Sequence, residues 1–323
     1  MSIPPRSTSL NSSSKIGVFD SGVGGLTVLT EIARKLPQES VIYFGDTARV
    51  PYGNRSKQEI LRFVREIVAW MIGQDVKMII MACNTSSALV LEEVRSEFPI
   101  PILGIILPGA RAAVKSGHNI GVISTQATAD SNAYKQAVRE INPAAKVWQQ
   151  GCQEFVPLIE SDRIRDPYTL AVAKRYLTPL LDSGIDTLVY GCTHYPHLAP
   201  IFRQIVPNTI TLVNPAIHLT AAAAQELEIL GLSCAQGKTS GQPAVKQPAV
   251  KQPATRQTAT RQTATGQTEF YVSGNPDHFA AVSEQWLGYR PYVSQVSVEV
   301  LESIHAASSK GTNDSSRERL HQR

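Results

Sequence analysis

Apolar runs of five or six residues punctuate this chain, and the stretches between them place apolar residues every three or four positions. Continuous apolar runs fit strands buried on both faces, and the 3.6-residue period fits crossover helices with one buried face. Strands are predicted over 15–19, 40–44, 77–82, 101–106, 119–123, 145–149, 186–190, 210–213, 269–273 and 296–300. Helices are predicted over 57–72, from Asp166-Pro167, over 216–230, and from Asn275-Pro276 to Gly288. In the first helix Ser56 and Glu59 form a capping box, and Ile60, Leu61, Val64, Ile67, Val68 and Met71 share a face. In the second an aspartate caps and a proline opens the first turn, and Pro179 is expected to kink or end it. The alternation of strand and helix predicts an α/β fold with mainly parallel sheets.

The two halves of the pattern repeat each other. IGVFDS (16–21) resembles IGVIST (120–125), VIYFGD (41–46) can be laid over VWQQGC (147–152), and VKMIIMACNT (76–85) over IDTLVYGCTH (185–194). The offsets are 104, 106 and 109 residues, close but unequal. This predicts two similar, pseudo-symmetric α/β domains, 15–108 and 109–214, with an active site in the cleft between them. Residues 215–305 are expected to return to the first domain, because 215–232 and 269–300 are too few for a core of their own.

Composition changes the picture in three places. Residues 242–268 repeat a five-residue unit (QPAVK, QPAVK, QPATR, QTATR, QTATG, QT) almost without large apolar side chains. Such a run cannot bury enough surface to offset its conformational entropy, so 236–268 reads as a disordered insertion. Residues 1–14 and 306–323 read as flexible tails. The formal charge of +4 is also local: the insertion and the two tails hold a net +8, leaving the body at −4. That argues against a nucleic-acid-binding face on the body. No apolar stretch reaches the ~20 residues needed to span a bilayer, and the N-terminus lacks the apolar middle of a secretory signal. A cytoplasmic protein without membrane partners is expected.

Four cysteines without close pairing suggest neither a disulfide framework nor a zinc site. Cys152 and Cys234 read as free, buried thiols. Cys83 and Cys192 differ, because each follows a buried strand and a small residue and precedes hydroxyl, amide or imidazole side chains. Ligands of open α/β sheets gather beyond the carboxyl ends of the strands. There this chain carries Asp20-Ser21, Asp46-Thr47, Asn84-Thr85-Ser86, Thr125 and Thr193-His194. Such groups suit a small zwitterion, and Asp20 could hold its ammonium. Inverting one carbon needs a base on one face and an acid on the other, roles that reverse with direction, so two residues of one kind fit. Helix N-termini and a nearby imidazolium lower thiol pKa values, and His194 lies two residues beyond Cys192. Glu160 is a further carboxylate able to tune one thiol. The residues alone also admit thiol redox or metal chemistry at Cys83, Cys192 and His194. The glycine run DSGVGG (20–25) lacks dinucleotide-fingerprint spacing. It reads as a tight turn that lets a substrate approach the backbone, and Asp46 as a possible cap of its following turn.

Taken together, IGVFDSGVGGLTVL, YFGDTARVPYG, ACNTSSA, ATADSNAY, FVPLIE and GCTHYPHL resemble the glutamate racemases, across residues 16 to about 230, and SGNPDHF (273–279) resembles their C-terminal segment. The resemblance implies cofactor-independent interconversion of L- and D-glutamate for peptidoglycan, with no metal, no pyridoxal phosphate, and usually a homodimer. It implies Cys83 acting on D-glutamate and Cys192 on L-glutamate, with Asp20, His194 and Glu160 assisting. Substrate contacts would come from Asp20, Ser21, Tyr52, Gly53, Asn84, Thr85, Thr125, Thr193 and His194. An aspartate racemase is the neighbouring alternative. Ser86, Ser124, Gln153 and Asn214 depart from the family's common alanine, glycine, proline and aspartate.

Overall fold

A computed structural model describes residues 10–234, 266–304 and 306. In chain order the elements are β1 (Lys15–Asp20), α1 (Leu26–Lys35), β2 (Val41–Gly45), α2 (Lys57–Ile72), β3 (Val76–Met81), α3 (Asn84–Glu97), β4 (Ile102–Gly104) and α4 (Ile106–Ser116). There follow β5 (Asn119–Ser124), α5 (Gln126–Asp130), α6 (Ala133–Ile141), β6 (Lys146–Gly151), α7 (Phe155–Glu160), α8 (Pro167–Asp182), β7 (Thr187–Gly191), α9 (Ala199–Phe202) and β8 (Thr211–Val213). Next come α10 (Pro215–Ile229), β9 (Thr268–Val272), α11 (Pro276–Leu287) and β10 (Val293–Gln295).

These strands build two parallel sheets, ordered β10-β9-β2-β1-β3-β4 and β6-β5-β7-β8. The inner order β2-β1-β3-β4 is matched by β6-β5-β7-β8, and the pairing registers follow the internal repeat. Ile16 pairs with Val41 and Met78, and Ile120 pairs with Val147 and Thr187. Each sheet is covered on both faces. In the first, α1, α10 and α11 bury Leu29, Leu219 and Phe279 on one side, while α2 and α3 bury Val64 and Val90 on the other. The second has its own two clusters, centred on Phe155 and Leu188, and on Tyr134 and Val189. Trp286 of α11 packs against clusters of both domains and stacks on His197, ring centroids 4.2 Å apart.

Local signals act as their chemistry dictates. Ser56 and Glu59 form the reciprocal capping box of α2, and Asp166 accepts from the Tyr168 N–H at the start of α8. Asn214 caps α10 through the Ala216 N–H, as the commoner aspartate would. Gly288 ends α11 at φ +76°, in the left-handed region that glycine enters without strain.

Three expectations are corrected. The strand expected at 296–300 is displaced: β10 ends at Gln295, and residues 298–304 are helical. There the Ser297 carbonyl accepts from the Val300 and Leu301 N–H groups, and Leu301 is buried in the α2–α3 cluster. One-sided burial of that kind suits a helix better than the β-branched composition suggested. Pro179 does not end α8, which runs on to Asp182. The N-terminal tail is shorter than 1–14, because residues 12–14 are docked. Buried Lys77 donates to the Ser12 carbonyl at 2.7 Å and pairs with Glu39 at 2.6 Å, and the Ser14 hydroxyl donates to Asp75.

Most of the repeat insertion and of the tails lies outside the described residues. Both flanks of the insertion attach to one turn, just before β2. The Cys234 N–H donates to the Glu39 carboxylate, and the Gly266 N–H to the Pro37 carbonyl. That turn is at the amino-terminal end of the strand, away from the sheet ends that carry the polar residues.

Candidate active site

Parallel strands deliver whatever follows their carboxyl ends to one rim of each sheet. Asp20 ends β1 and Ser21 follows it; after β3 come Cys83, Asn84 and Thr85; after β5, Thr125. After β7 come Cys192, Thr193 and His194. Two rims meet around a cavity of about 450 Å³. From the first domain it is lined by Ser21, Val50, Pro51, Tyr52, Gly53, Asn54, Cys83, Asn84 and Thr85. From the second it is lined by Thr125, Gln126, Cys152, Gln153, Val156, Pro157, Glu160, Cys192, Thr193 and His194. Every sequence-predicted site residue except Asp20 is in that lining. All four cysteines are free thiols.

His194 links Cys192 to Glu160. Its Nδ1 lies 3.7 Å from the Cys192 sulfur, and its Nε2 lies 3.0 Å from Glu160 Oε1. Burial works to lower the imidazole pKa, but these two partners outweigh it and raise the value to about 10. At neutral pH the ring is an imidazolium that donates from both nitrogens. Cys83 stands differently. It is the N-cap residue of α3, where a thiolate is favoured, yet burial, reinforced by the Asp20 carboxylate, pushes the thiol up to about 12. The Ser86 backbone N–H, and then its hydroxyl, work in the opposite direction. The helix-terminus lowering expected from sequence therefore loses to desolvation, and Cys83 rests as a thiol whose hydrogen points to the Ser21 hydroxyl at 3.9 Å.

Asp20 is buried behind the lining. It accepts from the Gly22 N–H at 3.0 Å and from the Thr193 hydroxyl at 3.1 Å, a bond between domains. Burial raises its pKa, opposed by the His194 charge and these donors. Its carboxylate adjoins the lining, with Oδ1 3.5 Å from the hydroxyl of Ser21, which does line the cavity.

The glycine run also differs from expectation. A Cβ on Gly24 would lie 2.4 Å from both His194 Nδ1 and Thr193 Oγ1, and one on Gly25 would meet Asp20 Cβ at 2.6 Å. The bare backbone makes room for the other domain's polar turn, and no glycine of this run lines the cavity.

A buried network below the Pro51–Asn54 wall was missed in the sequence, although Asp46 and Tyr52 were each named for other roles. Asp46 accepts from Arg49 Nε at 2.8 Å, from the Tyr52 hydroxyl at 2.5 Å and from Ser273 at 2.7 Å, and Arg49 also pairs with buried Glu66. Tyr52 thus lines the cavity with its hydroxyl already engaged. Asp46 is more than a turn cap: it holds the wall. At the domain junction Thr85 and Thr125 hydroxyls lie 3.0 Å apart, and Thr128 closes a ring of three at 3.0 and 3.4 Å.

The sequence profile of the Asp/Glu/hydantoin racemases matches residues 16–227. The glutamate racemase of Rippkaea orientalis is 60% identical over 285 residues, 88% of this chain and 92% of that protein. The chain belongs to the glutamate racemase family. Solved structures agree. A glutamate racemase isoform from Bacillus anthracis superposes with a TM-score of 0.79 at 34% identity, covering 90% of this chain and all of that one. The Francisella tularensis glutamate racemase, solved in complex with D-glutamate, gives 0.76 at 32% identity, covering 90% and 99%. As a member of the family the chain is an isomerase.

Seen as a racemase, the chain hides part of its site from sequence reading. Cys152 read as a packed thiol, yet it is both buried and part of the cavity wall. Its signal was the weakest of the internal matches, in which it takes the place of Asp46. Cys234 is half-buried instead of buried. Val50, Pro51, Asn54, Gln126, Gln153, Val156 and Pro157 sit beside recognised residues and carry no chemistry that would single them out.

Proposed function

We propose that this racemase interconverts L- and D-glutamate by proton transfer between Cα and two thiols, and supplies D-glutamate for peptidoglycan in the cytoplasm. One observation carries the reading: Cys83 and Cys192 end equivalent strands of two domains and line one cavity. A thiolate removes the α-proton from one face, and the thiol of the other domain delivers a proton to the opposite face. The C–H bond electrons reside transiently on the α-carbon and its carboxylate, and the second S–H bond supplies the replacement proton. Net charge and proton count are conserved, so neither a cofactor nor a metal is required.

Cys192 acts on L-glutamate, with the His194 imidazolium beside its sulfur and Glu160 holding that ring. Cys83 acts on D-glutamate. Ser21, Tyr52, Gly53, Asn84, Thr85, Thr125 and Thr193 present hydroxyl, amide and backbone groups to the substrate's carboxylates. Asp20, bonded to Thr193, assists the proton transfer and takes the substrate's ammonium group. The D-glutamate in the Francisella relative, whose chain matches along 90% of this one, supports the choice of substrate. A homodimer is the family's habit, and each subunit of this chain holds a complete cavity.

The test is Cα deuteration in D₂O from each enantiomer, for the wild type, Cys83→Ser and Cys192→Ser, with aspartate in parallel. Each variant is expected to lose about 10²–10⁴-fold in racemisation, with unequal effects on exchange from L and D. Full racemisation by either variant would sink the two-thiol mechanism, and faster turnover of aspartate would sink the substrate assignment.

A further inference from the structure

The segment ATADSNAY ends in Tyr134, which the mechanism above leaves unused. Tyr134 belongs to α6 of the second domain, is fully buried, and does not line the cavity. Its hydroxyl lies 2.8 Å from Oδ1 of Asn84, across the domain junction. Asn84 does line the cavity, and its Nδ2 is buried without a hydrogen-bond partner among the described residues. An unpaired buried amide nitrogen is costly, so its presence at a cavity wall calls for a ligand that accepts.

We infer that Tyr134 is a positioning residue: its hydroxyl fixes the orientation of the Asn84 amide so that Nδ2 is held free to donate to a substrate carboxylate. The direction of the bond follows from what each group can satisfy. Among the described residues the phenol's hydrogen bond goes to Asn84 Oδ1. If the amide were turned over, Nδ2 would donate to the phenol oxygen, the phenol hydrogen would be orphaned, and a carbonyl oxygen would meet the carboxylate. Burial also raises the pKa of Tyr134 and keeps it a donor. Because the two residues come from different domains, the amide is set only when the domains are docked. This inference rests on the glutamate reading for its ligand but not for the bond itself.

Tyr134→Phe removes the hydroxyl and keeps the ring that packs on Gly109. The expected result is a KM for glutamate raised about tenfold, the order of one hydrogen bond to a charged group, with the change carried by KM more than by kcat. Asn84→Ala should raise KM as well, and the double variant should be no worse than Asn84→Ala. Additive effects, or an unchanged KM in Tyr134→Phe, would overturn the inference. A second readout needs no ligand: the side-chain amide resonance of Asn84 in ¹⁵N-asparagine-labelled protein, assigned by its loss in Asn84→Ala. It should shift in Tyr134→Phe, and an unmoved resonance would overturn the positioning role. A wild type inactive on glutamate would count against the function proposed above, while the resonance would still decide the role of Tyr134.

Discussion

His194 holds a charge in a place that burial alone would neutralise, and this gives the site its pH signature. The imidazolium persists to about pH 10 because Cys192 and Glu160 flank it. We expect the activity that depends on Cys192 to fall along an alkaline limb near pH 10. In Glu160→Gln that limb should move down by about one unit or more, since one charge-assisted bond is gone. The stability linkage has a definite sign. The folded pKa lies above the reference value of 6.5, so the imidazolium stabilises the fold fully below about 6.5 and progressively less up to about 10. The thermal midpoint gap between wild type and His194→Gln should narrow over that range, and a widening gap would contradict the assignment. At this scale the residues that line the cavity were legible, because thiols beside imidazole, amide and hydroxyl groups follow the strand ends. Their electrostatics were not. Desolvation decides Cys83, and Asp20 accepts from Thr193 of the other domain, two outcomes that depend on atoms distant in sequence.

At the scale of elements, the strand-to-helix turns matter more than the strands they end. The turn after β1 fits the turn after β7 only because Gly24 has no side chain. Gly24→Ala should therefore displace His194 and Thr193 and lower kcat/KM by about a hundredfold, the loss that a small misplacement produces. Its far-ultraviolet circular dichroism should stay that of the wild type, and wild-type activity would refute the contact. Helix α2 supplies Glu66 to the Arg49–Asp46 network under the cavity wall, and its first turn is fastened by Ser56. Ser56→Ala should cost about 1 kcal/mol in urea unfolding, with little change in KM because the cap is exposed and outside the cavity lining. Elements were legible wherever a period and a cap agreed, as in α2, α8 and α11. They were misread where composition stood in for burial: VSVEV looks like a strand, but the buried Leu301 and the Ser297 carbonyl turn it into a helix.

On the scale of the whole molecule, two copies of one β-α unit face a common cavity, and the additions to them sit elsewhere. The repeat insertion departs from Cys234 and returns at Gly266, both bonded to the turn at 37–40. Replacing 240–260 with a short glycine-serine linker should leave kcat/KM within about twofold and shift the thermal midpoint little, since loop length enters stability only logarithmically. A large loss of activity would assign the repeat a role in catalysis. The duplication was legible because Ile16 and Ile120 recur in equivalent strands; the joining of the domains was not, since Asp20–Thr193, Tyr134–Asn84 and Trp286–His197 pair residues that no local pattern relates.

The unequal surroundings of the two sulfurs carry one consequence beyond catalysis. Mirror-image molecules have the same free energy in water, so the equilibrium constant between them is one. The Haldane relation then requires kcat/KM to be equal in both directions, whatever His194 does for one thiol and Ser21 for the other. The asymmetry of the site can only be spent inside that constraint, with the direction that turns over faster having a KM larger in the same proportion.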